Sequence, residues 1–307
     1  MIDPIDQVRL SFDQNQLALL NAILGLVMFG VALDLKLGDF RRALGSGRPA
    51  AAGLACQFLL LPAATFGLVS WLEPPPSVAL GMFLVAACPG GNTSNFMTHL
   101  AGGNTALSVS LSAISTVAAT VVTPANLAFW ASLYPPTRAL LVDVALDPVR
   151  LAVVVATILG LPVALGMVTA ARLPAVARRL RRPLRALSVL IFFGFVVAAL
   201  AANWHVFREH VGRVAGLVVL HNGAALLTGY GAGRLLGVGE RDRRALSIEV
   251  GIQNTALGLV LIFDFFHGLG GMTLVAAWWG IWHLVSGLAV AAFWSRRPAA
   301  SAEPTPA

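Results

Sequence analysis

Between residues 15 and 294, long apolar stretches alternate with short polar joins, and the stretches are apolar on all sides rather than along one stripe. A helix crossing a bilayer takes about 20 such residues. Nine stretches qualify: roughly 15–35, 49–71, 77–100, 104–133, 149–170, 186–204, 214–236, 244–267 and 272–294. The joins carry helix breakers: Pro74-Pro75-Pro76, Gly102-Gly103, Tyr134-Pro135-Pro136 and Gly268 to Gly271. The pattern predicts an all-α polytopic membrane protein. Residues 1–14 are polar and acidic, without the plan of a cleavable signal peptide, and are expected to form an extracytoplasmic segment. Residues 295–307 are Ala/Pro-rich and are expected to be a disordered cytoplasmic tail.

Composition removes the soluble alternative. The chain is 57% hydrophobic and 11% charged, with a mean hydropathy of +0.79, whereas soluble domains run at about 45–50% and about 25%. The formal net charge is +7 and every basic residue but Lys36 is Arg. On a soluble protein that excess would suggest nucleic acid. Here its distribution fits a membrane topology instead. With the N-terminus outside and the C-terminus inside, 16 of the 21 basic residues fall on the inner side, as the positive-inside bias requires. The cluster from Arg178 to Arg185 serves as a stop signal or as a contact for anionic lipid. Cys56 and Cys88 lie inside apolar stretches and read as small buried hydrophobes. The Arg- and Ala-rich, Lys-poor usage points to a high-GC bacterium, hence to its cytoplasmic (inner) membrane. Lipid bilayer is the expected surrounding, with no nucleic acid and no obligate protein partner evident.

Two spans are interrupted by polar knots, Pro89-Gly90-Gly91-Asn92-Thr93-Ser94-Asn95 in the third and Glu249-Val250-Gly251-Ile252-Gln253-Asn254 in the eighth. Aligned on these knots, the first four helices match the sixth to ninth, and the matched pair runs in opposite directions. The halves are therefore expected to be inverted repeats. Interrupted segments at matching places in two halves point to a transport site at the membrane midplane. Pro89 and the glycines cannot continue a helix, and an unwound segment offers carbonyls to cations and half-helix N-termini to anions.

Glu249 is the sharpest single residue. An ionised group at mid-bilayer costs about 2.5–3.5 kcal/mol on the lenient scale, and no Arg or Lys lies at a comparable depth in the nine stretches. A bound metal cation is one answer; a protonated structural Glu bonded to Asn or Ser is the other. Ser94, Asn95, Gln253 and Asn254 lie on the knots, and Ser108 and Ser112, four apart, share one face of the fourth helix. Carboxylate, amide and hydroxyl oxygens suit a hard, weakly charged ion better than zinc or copper. Each serine alone also fits a bond back to its own helix. Gln57 is a ligand or a tie between helices, and His221-Asn222 hold a related place in the second half. His283 lines a cavity or packs, and Asp264 lies near an outer helix end. No nucleophile elbow, HExxH, Walker loop or dinucleotide fingerprint is present, so the chain is not expected to be an enzyme.

The stretches Cys88-Pro-Gly-Gly-Asn-Thr-Ser-Asn95, Gly103-Asn-Thr-Ala-Leu-Ser-Val-Ser110, Ser247-Ile-Glu-Val-Gly-Ile-Gln-Asn254, Val219-Leu-His-Asn-Gly223 and Trp282-His283 resemble the bile acid:sodium symporter family over about residues 20–295. The resemblance implies nine transmembrane helices. A core (about 49–133 and 214–294) with two crossed discontinuous helices would face a panel (about 15–35 and 149–204). It implies two Na⁺ sites and no organic cofactor. Ser94, Asn95, Ser108, Ser112 and Glu249 would form one site. Gln57, Glu249, Val250, Ile252 and Gln253 would form the other, the apolar pair through backbone carbonyls. Asn92, Asn254 and His283 would face the substrate. Many bacterial members carry a further N-terminal helix that is expected to be absent here, and Thr is common where this chain has Ser112 and Asn92. The expected function is sodium-coupled symport of a small organic anion: bile-acid-like, pantoate, a pyruvate-like acid or a sulfonate. Proton-coupled efflux by the same fold is the alternative.

Overall fold

The computed structural model describes residues 3–9, 14–35, 47–91, 93–143, 148–181 and 204–297, with isolated positions between 38 and 45 and between 183 and 194. Among these residues every regular element is a helix, and two isolated bridges are the sole β-type pairings. A short α1 (Pro4–Gln7) precedes α2 (Gln14–Ala32). Then come α3 (Arg48–Leu72), α4 (Pro76–Ala87), α5 (Thr93–Leu100), α6 (Thr105–Leu133) and α7 (Pro135–Asp143). The second part holds α8 (Val149–Arg172), α9 (Trp204–Leu235), α10 (Glu240–Gly251), α11 (Thr255–Phe266) and α12 (Gly270–Ser295). The expected sixth span, 186–204, lies almost entirely outside the described residues, as does the tail from residue 298.

Among the described residues five helices are long and apolar enough to cross a bilayer by themselves: α3, α6, α8, the Phe207–Leu235 part of α9, and α12. At 1.5 Å per residue the 25 residues of α3 extend further than the hydrocarbon thickness of about 30 Å. By contrast α4, α10 and α11 have 12 residues each and α5 has eight, about half a membrane apiece. The third and eighth stretches are therefore each two half-helices in series. Outward faces carry Trp71, Val121, Leu165, Leu227 and Val285, a surface that suits lipid and not water. The chain is an integral membrane protein.

The breaks have local causes. After Ala87 the chain turns extended at Cys88 (φ −68°, ψ 155°), and Pro89 has no N–H to continue the ladder. After Gly251 it turns extended at Ile252 (φ −109°, ψ 101°). Asn254 then starts α11, its side chain accepting from Leu257 N at 3.2 Å. Asn104 starts α6 in the same way, from Leu107 N at 3.1 Å. Each cap satisfies a donor that a helix start leaves open. Close approach also depends on Gly229, where an added Cβ would strike the Leu246 carbonyl and hold α9 away from α10.

The polar N-terminal segment is not loose. Asp6 is buried and its carboxylate accepts from Ser77 N, at the first turn of α4, at 2.8 Å. Val8 O accepts from Gly270 N, at the start of α12, at 2.9 Å. Residues 3–9 thus close over the starts of two helices.

Candidate ion-binding site

The two breaks meet. Gly91 N donates to Ile252 O at 2.6 Å and Asn254 N donates to Pro89 O at 2.9 Å, with Gly90 and Gln253 paired as an antiparallel bridge. Backbone groups freed by unwinding one helix are thereby satisfied by those freed in the other, which is what hydrocarbon surroundings demand. Gly90 lies against the Glu249 carboxylate, and a Cβ there would occupy the space of Oε1.

Glu249 is 2% exposed. Ser94 Oγ donates to its Oε2 at 2.6 Å and Ser108 Oγ to the same oxygen at 2.9 Å; Ser112 Oγ donates to Oε1 at 2.6 Å. Asn95 Oδ1 lies 2.8 Å from Ser108 Oγ and 3.4 Å from Ser112 Oγ, and Thr98 Oγ1 lies 3.4 Å from Ser108 Oγ. A hydroxyl has one proton, so Ser108 serves Glu249 or Asn95 but not both, while its oxygen accepts from Thr98. Five expected residues, from α5, α6 and α10, thus converge on one oxygen-lined point.

Positive charge is supplied elsewhere. Arg244 is five residues before Glu249 on α10 and 4% exposed. Its guanidinium donates to Ala101 O (2.8 Å), Trp294 O (3.2 Å) and Arg297 O (2.8 Å), and its Nε to Glu240 (3.0 Å). It serves the carbonyl ends of α5 and α12. None of the ion pairs among the described residues includes Glu249. Nor do any three His, Cys, Asp or Glu side chains converge among them. A buried carboxylate ringed by hydroxyl and amide oxygens fits a hard monovalent cation.

The second expected set is also assembled. Gln57 Nε2 donates to Cys88 O (2.8 Å) and to Gln253 Oε1 (2.9 Å), while Gln253 Nε2 donates to Val250 O (2.7 Å). Gln57 therefore ties α3 to both breaks. It sits in a π-helical turn, Cys56–Leu60, in which Leu61 N reaches back to Cys56 O. Such turns often mark functional sites.

Of the three residues expected to face substrate, Asn92 lies outside the described residues. Asn254 caps α11 and turns its Nδ2 toward Met28 Sδ on α2, 3.9 Å away. His283 is buried with Nδ1 unpartnered; it lies on α12 between Gly280, which abuts Thr255, and Gly287, which abuts Ile252. Asp264 faces Asn21 Nδ2 at 3.4 Å, and both line a cleft of about 320 Å³ with Arg150 and Thr157, between α2, α8 and α11. His221 is buried, paired with Thr65 Oγ1 at 2.7 Å and set edge-on to Trp279.

Sequence reasoning missed three contributors. Thr98 adds a hydroxyl beyond Ser108. Thr123 Oγ1 donates to Ala87 O, the last carbonyl of α4, at 2.7 Å. Asn126 Nδ2 donates to Phe58 O at 2.8 Å. Pro62, four residues after Phe58, brings no N–H to that carbonyl. The available signal was a polar residue inside an apolar span together with a mid-helix proline two spans earlier.

Half-helices whose breaks meet beside a buried acid in an apolar bundle suit a secondary transporter. The chain belongs to the sodium bile acid symporter family, whose model matches residues 21–210. It is 32% identical over 274 residues to the uncharacterized sodium-dependent transporter YocS of Bacillus subtilis, covering 89% of this chain and 82% of that protein. It is 32% identical over 276 residues to the probable sodium/metabolite cotransporter BASS1, chloroplastic, of Arabidopsis thaliana, covering 89% of this chain and 66% of that protein. It is 28% identical over 241 residues to P3 protein of Homo sapiens, covering 76% of this chain. The chain spans just under two thirds of the plant protein and about half of the human one. The chain is a transporter of this family and not an enzyme.

Proposed function

We propose that the chain is a sodium-driven symporter of a small organic anion, in which Na⁺ at Glu249 organises the crossed half-helices. One observation carries this: a buried carboxylate held by three serine hydroxyls at the crossing, with no cationic partner among the described residues. Ser94, Asn95, Ser108, Ser112 and Glu249 would ligate one ion. Gln57, Gln253, Glu249 and the Val250 and Ile252 carbonyls would ligate a second. The sodium-dependent names of the relatives support the choice of ion.

The anion would lie where the N-termini of α5 and α11 converge, since helix starts favour negative charge. Asn254 Nδ2, whose partner is the weakly accepting Met28 Sδ, would donate to it there, and His283 would line the wall, with Asn92 the further residue the resemblance implies. Sodium capture fixes the breaks and so forms the anion pocket. The core (49–133 and 214–294) would then move against the panel (15–35 and 149–204), parting along the seam that holds the cleft of about 320 Å³. Two Na⁺ carried with one monoanion would move one net charge, gaining about 2.3 kcal/mol per 100 mV.

The test is Glu249→Gln in purified protein. NaCl, but not KCl, should raise the Tm of the unmutated protein, because an ion that binds only the folded state stabilises it. The variant should lose that rise, and with it sodium-dependent uptake of pantoate, pyruvate, taurocholate and a small sulfonate into proteoliposomes. Equal stabilisation by both salts, or uptake untouched by Glu249→Gln, overturns the reading. A response to a pH gradient in place of sodium would favour proton coupling.

A further inference from the structure

The stretch after Glu249 has its carbonyls directed one by one. Val250 O accepts from Gln253 Nε2 and Ile252 O from Gly91 N. Gly251 O, between them, accepts from Asn222 Nδ2 on α9 at 2.7 Å. Asn222 is 1% exposed, and its other amide atom is engaged too: Oδ1 accepts from Ser286 Oγ on α12 at 2.6 Å. A carbonyl can only accept, so the amide's orientation is fixed by its partner. Ile252 is extended, and along extended backbone successive groups point to opposite sides. With Gly251 O held toward α9, the next carbonyl, Ile252 O, meets Gly91 N of the first break.

The first break is held similarly. Ala87 O, the last helical carbonyl of α4, is taken by Thr123, and Cys88 O by Gln57. Side chains of the flanking helices thus hold the unwound carbonyls at both breaks. A second tie, Ser247 Oγ to Leu226 O at 2.8 Å, fastens α9 to α10 one turn before the break.

We infer that Asn222, itself held by Ser286, is a positioning residue that sets the second break for ion capture by fixing the Gly251 carbonyl and with it the adjoining Ile252 carbonyl. It touches neither ion nor substrate, and the inference rests on the sodium reading above. Asn222→Asp keeps the shape and the Ser286 bond but removes the donor to Gly251 O. Ser286→Ala frees the amide while leaving the Gly251 contact available, and Ser286→Thr retains the hydroxyl.

The experiment is a titration of Tm with NaCl at constant ionic strength, balanced with KCl, on the full chain. Asn222→Asp and Ser286→Ala should raise the half-saturating NaCl concentration, the former by about tenfold, the cost of one buried hydrogen bond. Ser286→Thr should match the unmutated protein. The merely structural alternative lowers Tm in KCl without moving the sodium midpoint; that result in Ser286→Ala overturns the inference, even if Asn222→Asp fails to fold. An unmutated protein with no sodium response refutes the sodium reading itself, a distinguishable failure.

Discussion

Gly90 leaves no room for a side chain. An added Cβ would meet Glu249 Oε1 and, at 3.1 Å, its Cδ, so the carboxylate would have to leave its serine cage. Gly90→Ala should reduce sodium affinity by more than about tenfold, each displaced charged hydrogen bond being worth about 1.5–3 kcal/mol. Gly216→Ala on α9 is the matched control: open space surrounds it, and alanine in a helix interior should gain up to about 1 kcal/mol. Sodium-titrated melting of both variants checks the pair. At this scale the sequence exposed much of the site, because a carboxylate, three serines and two glutamines stand out in apolar stretches. It did not expose which groups touch. Gln57 was open between ligand and tie, and its bonds to Cys88 O and Gln253 add a tie to the ligand role proposed for it. Asn222 and Thr123 act on backbone carbonyls, whose positions no residue type announces.

Among the elements, the π-helical turn in α3 combines a bulge, a proline and a borrowed donor. Phe58 O takes its hydrogen bond from Asn126 on α6, next to Pro62 in the following turn. Asn126→Leu should strand that carbonyl and cost about 1–3 kcal/mol, read as a fall in Tm. Adding Pro62→Ala supplies an N–H and should recover part of the loss, so the double variant should be more stable than the two single losses summed. Both broken helices were legible from Pro-Gly-Gly and from Glu-x-Gly-x-Gln-Asn, because proline, glycine and buried polar residues oppose a continuous rod locally. The π turns at Cys56–Leu60 and Ala156–Gly160 were not legible; no local rule separates Cys-Gln-Phe-Leu-Leu from ordinary helix. Nor was the docking of residues 3–9, which depends on where the starts of α4 and α12 come together.

For the whole molecule, the distribution of basic residues along the sequence predicts, by the positive-inside bias, an N-terminus outside. A single cysteine placed at Asp3 in a chain with Cys56→Ala and Cys88→Ala should react with a membrane-impermeant maleimide in intact cells, and one at Arg297 only after permeabilisation. The reverse pattern would invert the assignment. Family, membrane class and the position of the breaks came from sequence, since each depends on local composition or on short motifs.

The contact that completes the cage joins Ser94 to Glu249, 155 residues further along. The hydroxyls come from the first part of the chain and the acid from the second, so neither part alone can close the ring. During synthesis the early helices must enter lipid with Ser94, Ser108 and Ser112 still waiting for their acceptor. A ribosome adding about 5–20 residues per second delivers Glu249 many seconds later. Until then the nascent bundle carries an unfinished polar seam. Completion of the bundle is tied to the arrival of that one side chain.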